Sequence, residues 1–199
     1  MTRRRHVSIA LLLFCLSWLW AASPVRAAPW GLDTLMAALA DNPGGTARFV
    51  ERKHLAVLDT PIESSGTLVY KRPGRLERHT ERPRAESMVL DGSALTLSRA
   101  SGELHMDLRD YPDAAALIES IRSTLAGNRS ALEKNYLLSL SGTSNAWTLD
   151  LSPSDPQITA LVHRIRINGH AGLIDSVEIL QADGDRSVML ITPLSRDAS

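Results

Sequence analysis

The chain of 199 residues has one cysteine, Cys15. It lies behind Phe14 inside an apolar run and is not placed like the lipidated cysteine of a bacterial lipoprotein. Once the leader described below is removed no cysteine remains, which excludes disulfides, thiolate catalysis and cysteine-ligated metal. Aromatic residues are scarce at 5% of the chain. Beyond the leader they are Trp30, Phe49, Tyr70, Tyr111, Tyr136 and Trp147. There is no excess of either charge, with 22 basic and 22 acidic residues. Loss of Arg3, Arg4, Arg5 and Arg26 with the leader leaves 18 basic residues against 22 acidic ones. A mildly acidic domain lacks the basic stripe of nucleic-acid binders, and that class is excluded.

Motifs of the common chemistries are missing as well. The histidines His54, His79, His105, His163 and His170 form no HExxH and no pair at ligand spacing on an expected helix, so zinc is not expected and each reads as a surface strand residue. There is no Gly-x-Ser-x-Gly elbow, P-loop or dinucleotide fingerprint. Asp183-Gly184-Asp185 begins like a calcium loop, but Arg186, Ser187 and Val188 follow and the closing glutamate is absent, so it reads as a turn. Asn128-Arg129-Ser130 fits a glycosylation acceptor, a pattern short enough to carry little weight. No metal or organic cofactor is implied.

What is present begins with a leader. Residues 1–5 are basic, Val7 to Ala22 is almost continuously apolar, and Val25-Arg26-Ala27 supplies small residues at signal-peptidase spacing. Residues 1–27 read as a secretory signal peptide cleaved after Ala27; a retained membrane anchor is the alternative, because the run approaches a spanning length of roughly 20 residues. Residues 28–199 read as one domain, with 44% apolar composition for a sizeable core, no internal repeat and no composition break.

Ala28 to Asn42 has Leu32, Leu35, Met36 and Leu39 at helical spacing, stopped by Pro43-Gly44-Gly45. The period then becomes two. A long first strand is expected from Thr46, with Phe49, Leu55 and Val57 on one face and Arg48, Arg52 and His54 on the other, then a turn at Asp59-Thr60-Pro61. Ser65 to Arg72 places Leu68, Tyr70 and Arg72 together. A polar strand over Arg75–Glu81 follows, then Glu86–Leu90 and the Asp91-Gly92 turn. Leu95 and Leu97 alternate, as do Leu104, Met106 and Leu108. A helix starts near Asp110-Tyr111-Pro112-Asp113 with a stripe of Ala114, Leu117, Ile118, Ile121 and Leu125, ended by Gly127. Ser130 and Glu133 fit a capping box, although Tyr136, Leu138 and Leu140 already alternate. Strands then resume through Trp147, Leu149 and Leu151, through Ile165 and Ile167, through Val177 and Ile179, and from the Asp183-Gly184 hairpin to Thr192.

Around ten antiparallel strands with two helical interruptions curl into a barrel or half-barrel. The helices bury their stripes only against its concave face, either as a plug or as the cover of a cavity. Arg72 shares the side of Leu68 and Tyr70. A guanidinium there keeps its charge and needs partners, such as carbonyls of a covering helix or loop. Alternatively the register slips at Pro73 and Arg72 reaches water.

The run from Phe49 through Gly66-Thr67-Leu68-Val69-Tyr70-Lys71-Arg72-Pro73 to Val89-Leu90-Asp91-Gly92 resembles the LolA family of periplasmic outer-membrane lipoprotein carriers. The family order is a leading helix, a strand with F-x-Q, a G-x-[LF]-x-[VYF]-[KR]-[RK]-P segment and a short strand ending in D-G. The sequence departs from it at Phe49-Val50-Glu51, at Leu76 where a phenylalanine is usual, and in its low aromatic content. It is thus similar to a divergent branch, like members accompanying acyl or aryl-polyene lipid export systems. The resemblance implies an α+β fold, mostly antiparallel: an unclosed, half-open β-barrel covered by helices that form a lid over an apolar cavity. It implies that Arg72 latches the lid of the empty cavity through backbone hydrogen bonds. It implies a monomeric carrier of lipoprotein or lipid acyl chains, taking cargo from an inner-membrane donor transporter to an outer-membrane acceptor.

The expected cavity wall is Leu68, Tyr70, Met88, Leu90, Leu95, Leu97, Leu104, Met106, Trp147 and Leu149, with Leu117, Ile118 and Ile121 from the lid; ordinary core is the alternative for each. An envelope sensor or interaction domain that binds a partner protein is the second functional reading. An enzyme would need paired carboxylates in the cavity; Glu77 and Glu86 lie on polar strands, so enzymatic activity is not expected.

Overall fold

The structure, a computed structural model, describes residues 30–194. The expected leader, residues 1–27, lies outside them. Six strands form a first meander: β1 (Gly44–His54), β2 (Ile62–Lys71), β3 (Arg75–Arg82), β4 (Glu86–Asp91), β5 (Ala94–Arg99) and β6 (Gly102–Asp107). Five form a second: β7 (Tyr136–Thr143), β8 (Ala146–Pro153), β9 (Val162–His170), β10 (Leu173–Gln181) and β11 (Arg186–Pro193). The meanders join where β1 pairs antiparallel with β11, giving the order β6-β5-β4-β3-β2-β1-β11-β10-β9-β8-β7. The fold is α+β with a single unclosed antiparallel sheet whose free edges are β6 and β7. Among the described residues it has eleven strands, where the alternation implied about ten.

β6 and β7 are consecutive strands at opposite edges, so residues 108–135 have to cross a face of the sheet. They do so as a 3-10 turn (Leu108–Asp110), α2 (Pro112–Leu125) and the short α3 (Arg129–Leu132). Pro112 occupies the first helical turn, where its missing N–H costs nothing. α1 (Leu32–Asp41) lies on the same face and buries Leu35, Met36 and Leu39. A helix of ten residues is marginal alone, and these three side chains, each contributing about 1.5–3 kcal/mol on burial, hold it in place. The ends of α1 and α2 meet at Gly127, whose φ is 64° and where a Cβ would stand 2.1 Å from the Met36 carbonyl oxygen.

The core is in two parts. The larger gathers α1, Leu132, Tyr136, Trp147, Leu149, Leu151, Ile158, Val162, Ile165 and Ile167. The smaller holds Leu90, Leu95 and Leu108 with Leu76, Met88 and Met106 around them. α2 wedges between the two: Ala116 and Leu117 pack against the larger cluster, Ala115 and Ile118 against the smaller.

Several local expectations are corrected. β1 ends at His54, so Leu55 and Val57 belong to a loop, where Val57 is 87% exposed. Ala56 N donates to Asp185 Oδ1 at 2.9 Å, which ties that loop to the β10–β11 turn instead of extending the strand. Ser130 is not a cap: Asn128 precedes α3, and its Oδ1 accepts from the Ala131 amide at 3.1 Å. Ala114 faces solvent, so the apolar stripe of α2 begins at Ala115. A helical turn was missed at α4 (Pro156–Thr159), capped by Asp155 through the Gln157 amide at 2.8 Å.

The face away from the helices is ionic. Glu77 accepts from Arg75 Nε at 2.9 Å and from Lys71 Nζ at 3.0 Å, and lies 3.1 Å from His79 Nε2. Those bonds, Arg75 foremost, hold its carboxyl at about 2, against an ordinary 4.5. A depressed carboxyl contributes stability that is full above the unfolded value and is lost as pH falls through the folded one. The melting temperature is therefore expected to decline between pH 4.5 and about 2, more steeply in the wild type than in Glu77→Gln. Calorimetry across that window checks it; parallel curves would remove Glu77 as the cause.

Candidate functional site

Cross-strand pairing sorts the helix-facing side of the first meander into three rows. Tyr70, Leu76, Leu90, Leu95 and Met106 form one, through successive opposed pairs. Leu68, Arg78, Met88, Leu97 and Leu104 form the next. Phe49, Gly66, Thr80, Glu86 and Arg99 form the third. The first row is apolar, and α2 covers it through Ala115 and Ile118. The second is apolar apart from Arg78 and only partly covered: Leu68 and Met88 are half-buried and Leu104 is 52% exposed. The third ends in ions. Polarity therefore rises along the strands, from beneath α2 toward the far end of the sheet.

The ionic end is organised around β1. Glu51 lies two residues beyond Phe49 on the same face. Its Oε2 accepts from Arg78 Nη2 at 2.6 Å and from the Ser64 hydroxyl at 3.3 Å, and its Oε1 accepts from the Ser187 hydroxyl. Arg78 Nη2 also donates to Ser64 Oγ at 3.0 Å, and its Nε donates to Thr80 Oγ1 at 3.4 Å. The guanidinium lies over the Phe49 ring, 4.5 Å from its centroid, and Phe49 is 1% exposed. Burial alone would push the Glu51 carboxyl up. The Ser187 hydroxyl, the charge and hydrogen bond of Arg78 and the Ser64 hydroxyl outweigh it and hold the group below its usual range. Beside this cluster Arg99 Nε donates to Glu86 Oε2. Glu77 and Glu86 lie on opposite faces of the sheet and form no carboxylate pair.

Arginines also tie both helices to the hairpin tips. Arg72 Nη1 donates to the carbonyls of Ala40, in the last turn of α1, and of Asn42, the latter at 3.1 Å. Arg72 faces the helices, but it is exposed at the rim; it therefore satisfies the helix's last carbonyls without entering the apolar space. Arg122 of α2 was not singled out by the sequence. Its Nη1 donates to the Gly92 carbonyl in the β4–β5 turn at 3.0 Å, and its guanidinium crosses Gly74, where a Cβ would stand 2.7 Å from Nη2. A side chain at Gly74 would displace the Arg122 guanidinium that lies over it.

Of the expected wall, Leu90, Leu95 and Leu97 are buried and Tyr70 and Met106 half-buried. Trp147 and Leu149 are 2% and 0% exposed within the cluster beneath α1, away from Leu68 and Met88. Leu117 and Ile118 face different clusters, and Ile121 is half-buried. The Tyr70 hydroxyl is buried with no hydrogen-bond partner among the described residues, a donor free for an acceptor. Among the described residues no cluster of His, Cys, Asp or Glu is placed to hold a metal ion, and no helix is long and apolar enough to cross a membrane.

An unclosed antiparallel sheet, crossed on one face by helices that leave an apolar row partly uncovered, defines an open α+β fold with a partly exposed apolar face. Residues 22–199 match the family described as outer membrane lipoprotein carrier protein LolA-like, and the chain belongs to that family. No curated protein matches the chain in sequence. Among solved structures it is similar to a LolA superfamily protein from Nitrosomonas europaea, at 11% identity over 85% of this chain and 95% of that one, with a TM-score of 0.46. It is also similar to the MucA/MucB complex of Pseudomonas aeruginosa, at 14% identity over 84% of this chain and 58% of that one, TM-score 0.49. A DUF1329 family protein from Desulfovibrio piger matches at 12% identity over 84% of this chain and 91% of that one, TM-score 0.45.

Proposed function

We propose that this protein is a periplasmic carrier that shields acyl chains of lipoproteins or lipids between an inner-membrane donor transporter and an outer-membrane acceptor. The observation that carries this reading is the row Leu68, Met88, Leu97 and Leu104, apolar apart from Arg78 and only partly covered, which lies beside the row that α2 covers. An acyl chain laid along it continues beneath the helix only if Ala115 and Ile118 give way. Replacing those side chains by methylenes exchanges one apolar surface for another, so the exchange is close to balanced. That balance is what a carrier needs. A buried methylene contributes about 0.8 kcal/mol, so a chain of about sixteen carbons would gross about 13 kcal/mol, too much to release unless cover and cargo compete.

The bonds from Arg72 to α1 and from Arg122 to Gly92 favour the covered, unloaded state. Losing the Arg72 bonds is worth about 1 kcal/mol, or about fivefold in the equilibrium. Arg72→Leu is accordingly expected to fold, to bind cargo about fivefold more tightly and to pass it on more slowly to acceptor vesicles, measured by transfer of a fluorescent acyl lipid. Unchanged transfer would remove the latch.

Native mass spectrometry of residues 28–199, recovered from the envelope of the host, tests the function directly. An acyl-bearing mass at about one per protein is expected. A protein that stays empty after incubation with envelope extract would favour a partner-binding sensor domain on the same fold.

A further inference from the structure

The proposed carrier role leaves the ionic end of the groove unexplained. A sheet face that only shields hydrocarbon has no use for a guanidinium in its apolar row, and the ion pair beneath it is not a means of stabilisation that hydrophobic residues could not match. Resting on that carrier reading, we infer that this end is a headgroup subsite for a phosphodiester lipid, with the acyl chain running from it along Leu68 and Met88 toward α2.

Three features support the assignment. First, Arg78 is held in place but not saturated. Glu51, Ser64 and Thr80 take its Nη2 and Nε, and Phe49 lies under its plane, while Nη1 has no partner among the described residues. A fixed guanidinium with one free edge is a pre-organised donor for a phosphate or carboxylate oxygen. Second, the charges do not cancel. Lys53 lies on the same face, opposite Ser187, half-buried and without an ion pair among the described residues. Lys53, Arg78 and Arg99 outnumber Glu51 and Glu86, and the depression beside them adds Arg48 and Arg82 against Glu63, a net positive surface that an anionic phosphodiester neutralises in part. Third, space is present. An open depression of about 500 Å³, lined by Arg48, Val50, Glu63, Ser65, Arg82 and Pro83 as well as by Phe49 and Ser64, adjoins the cluster where β3 shifts register against β2, between Ser65 and Gly66. The chemistry recognised is an anionic phosphate oxygen; the apolar row beside it selects a lipid over a free anion.

The test compares the secreted protein's affinity for palmitoyl lysophosphatidylglycerol, for monopalmitoylglycerol, which has the same chain without phosphate, and for glycerol phosphate alone, by calorimetric titration below the micellar range. The phosphate lipid is expected to bind about tenfold more tightly than the neutral one, the worth of about one charge-assisted hydrogen bond. Glycerol phosphate should bind at least about a hundredfold more weakly than the phosphate lipid, lacking the apolar contribution. Glu51→Gln with Arg78→Gln, which keeps neutral hydrogen bonding at both positions, should lose the preference and keep the affinity for monopalmitoylglycerol. Should the double variant not fold, Lys53→Gln in the wild-type background is expected to reduce the preference severalfold, as is raising the salt. Equal binding of the two lipids by the wild type overturns the subsite and leaves the carrier reading intact. Binding of neither lipid overturns both. Binding of glycerol phosphate as tight as that of the lipid overturns the subsite in favour of a small-anion site.

Discussion

Trp147→Ala is expected to cost about 3–5 kcal/mol and to lower the melting temperature by about 10 °C. The indole is almost completely buried beneath α1. Its Nε1 donates to the Ala171 carbonyl at 3.0 Å, and its six-membered ring lies against Gly169, where a Cβ would stand 2.3 Å from Cζ2. Truncation removes the largest fully buried side chain and leaves a cavity. The rest of the cluster, which includes Leu35 of α1, cannot collapse into that space without moving the helix. The same measurement decides whether this region is core or cavity lining, since a ring that only walled an empty space would lose far less. An unfolding free energy from urea titration within about 1 kcal/mol of wild type would show the cluster to be loosely packed and would make Trp147 and Leu149 available to cargo.

Gly66→Ala should be nearly as damaging, at about 3 kcal/mol. Gly66 is buried in the middle of β2, opposite Phe49 on one side and Thr80 on the other. A Cβ there would stand 1.9 Å from the His79 carbonyl oxygen and 3.0 Å from the Thr80 Cα, both backbone atoms. Because no side chain can swing away, the substitution must push β3 off β2 next to the register shift. The glycine that opens the Gly-x-Leu-x-Tyr-Lys-Arg-Pro segment thus has a steric reason: β3 passes too close for any side chain. It should also disturb Arg78 and Thr80, so headgroup preference should fall together with stability. Calorimetry of the variant checks this, and a melting temperature within 2 °C of wild type would show that the strands separate freely.

The ionic cluster was partly legible. Glu51 is two residues from Phe49, and Arg78 and Thr80 are two and four from Leu76. Period-two phase alone puts all of them on the face of the apolar residues. What that phase could not supply was their meeting, because Glu51 and Arg78 are 27 residues apart and Ser187 is 136 from Glu51. α4 also had a local signature, Asp155 before Pro156, an N-cap followed by proline at the first helical position. Arg122 had none, since Gly74 and Gly92 lie 48 and 30 residues before it and come within its reach only once α2 crosses the sheet. Leu55 and Val57 were misassigned to β1 because alternation continues through them; the contact that ends the strand comes from Asp185.

The sequence by itself determined most of the strands, the two longer helices, their order and the side of the sheet that most strand residues face. These follow from local periodicity, caps and turn residues, which act over a few positions. Tertiary structure alone decided that β1 closes on β11, that α2 must therefore cross between opposite edges, and that Trp147 and Leu149 lie under α1 while Leu68 and Met88 stay half open. It also decided that Arg72 ends on the last carbonyls of α1. These outcomes depend on pairing between residues far apart in the chain, where loop closure and burial of whole faces outweigh any local preference.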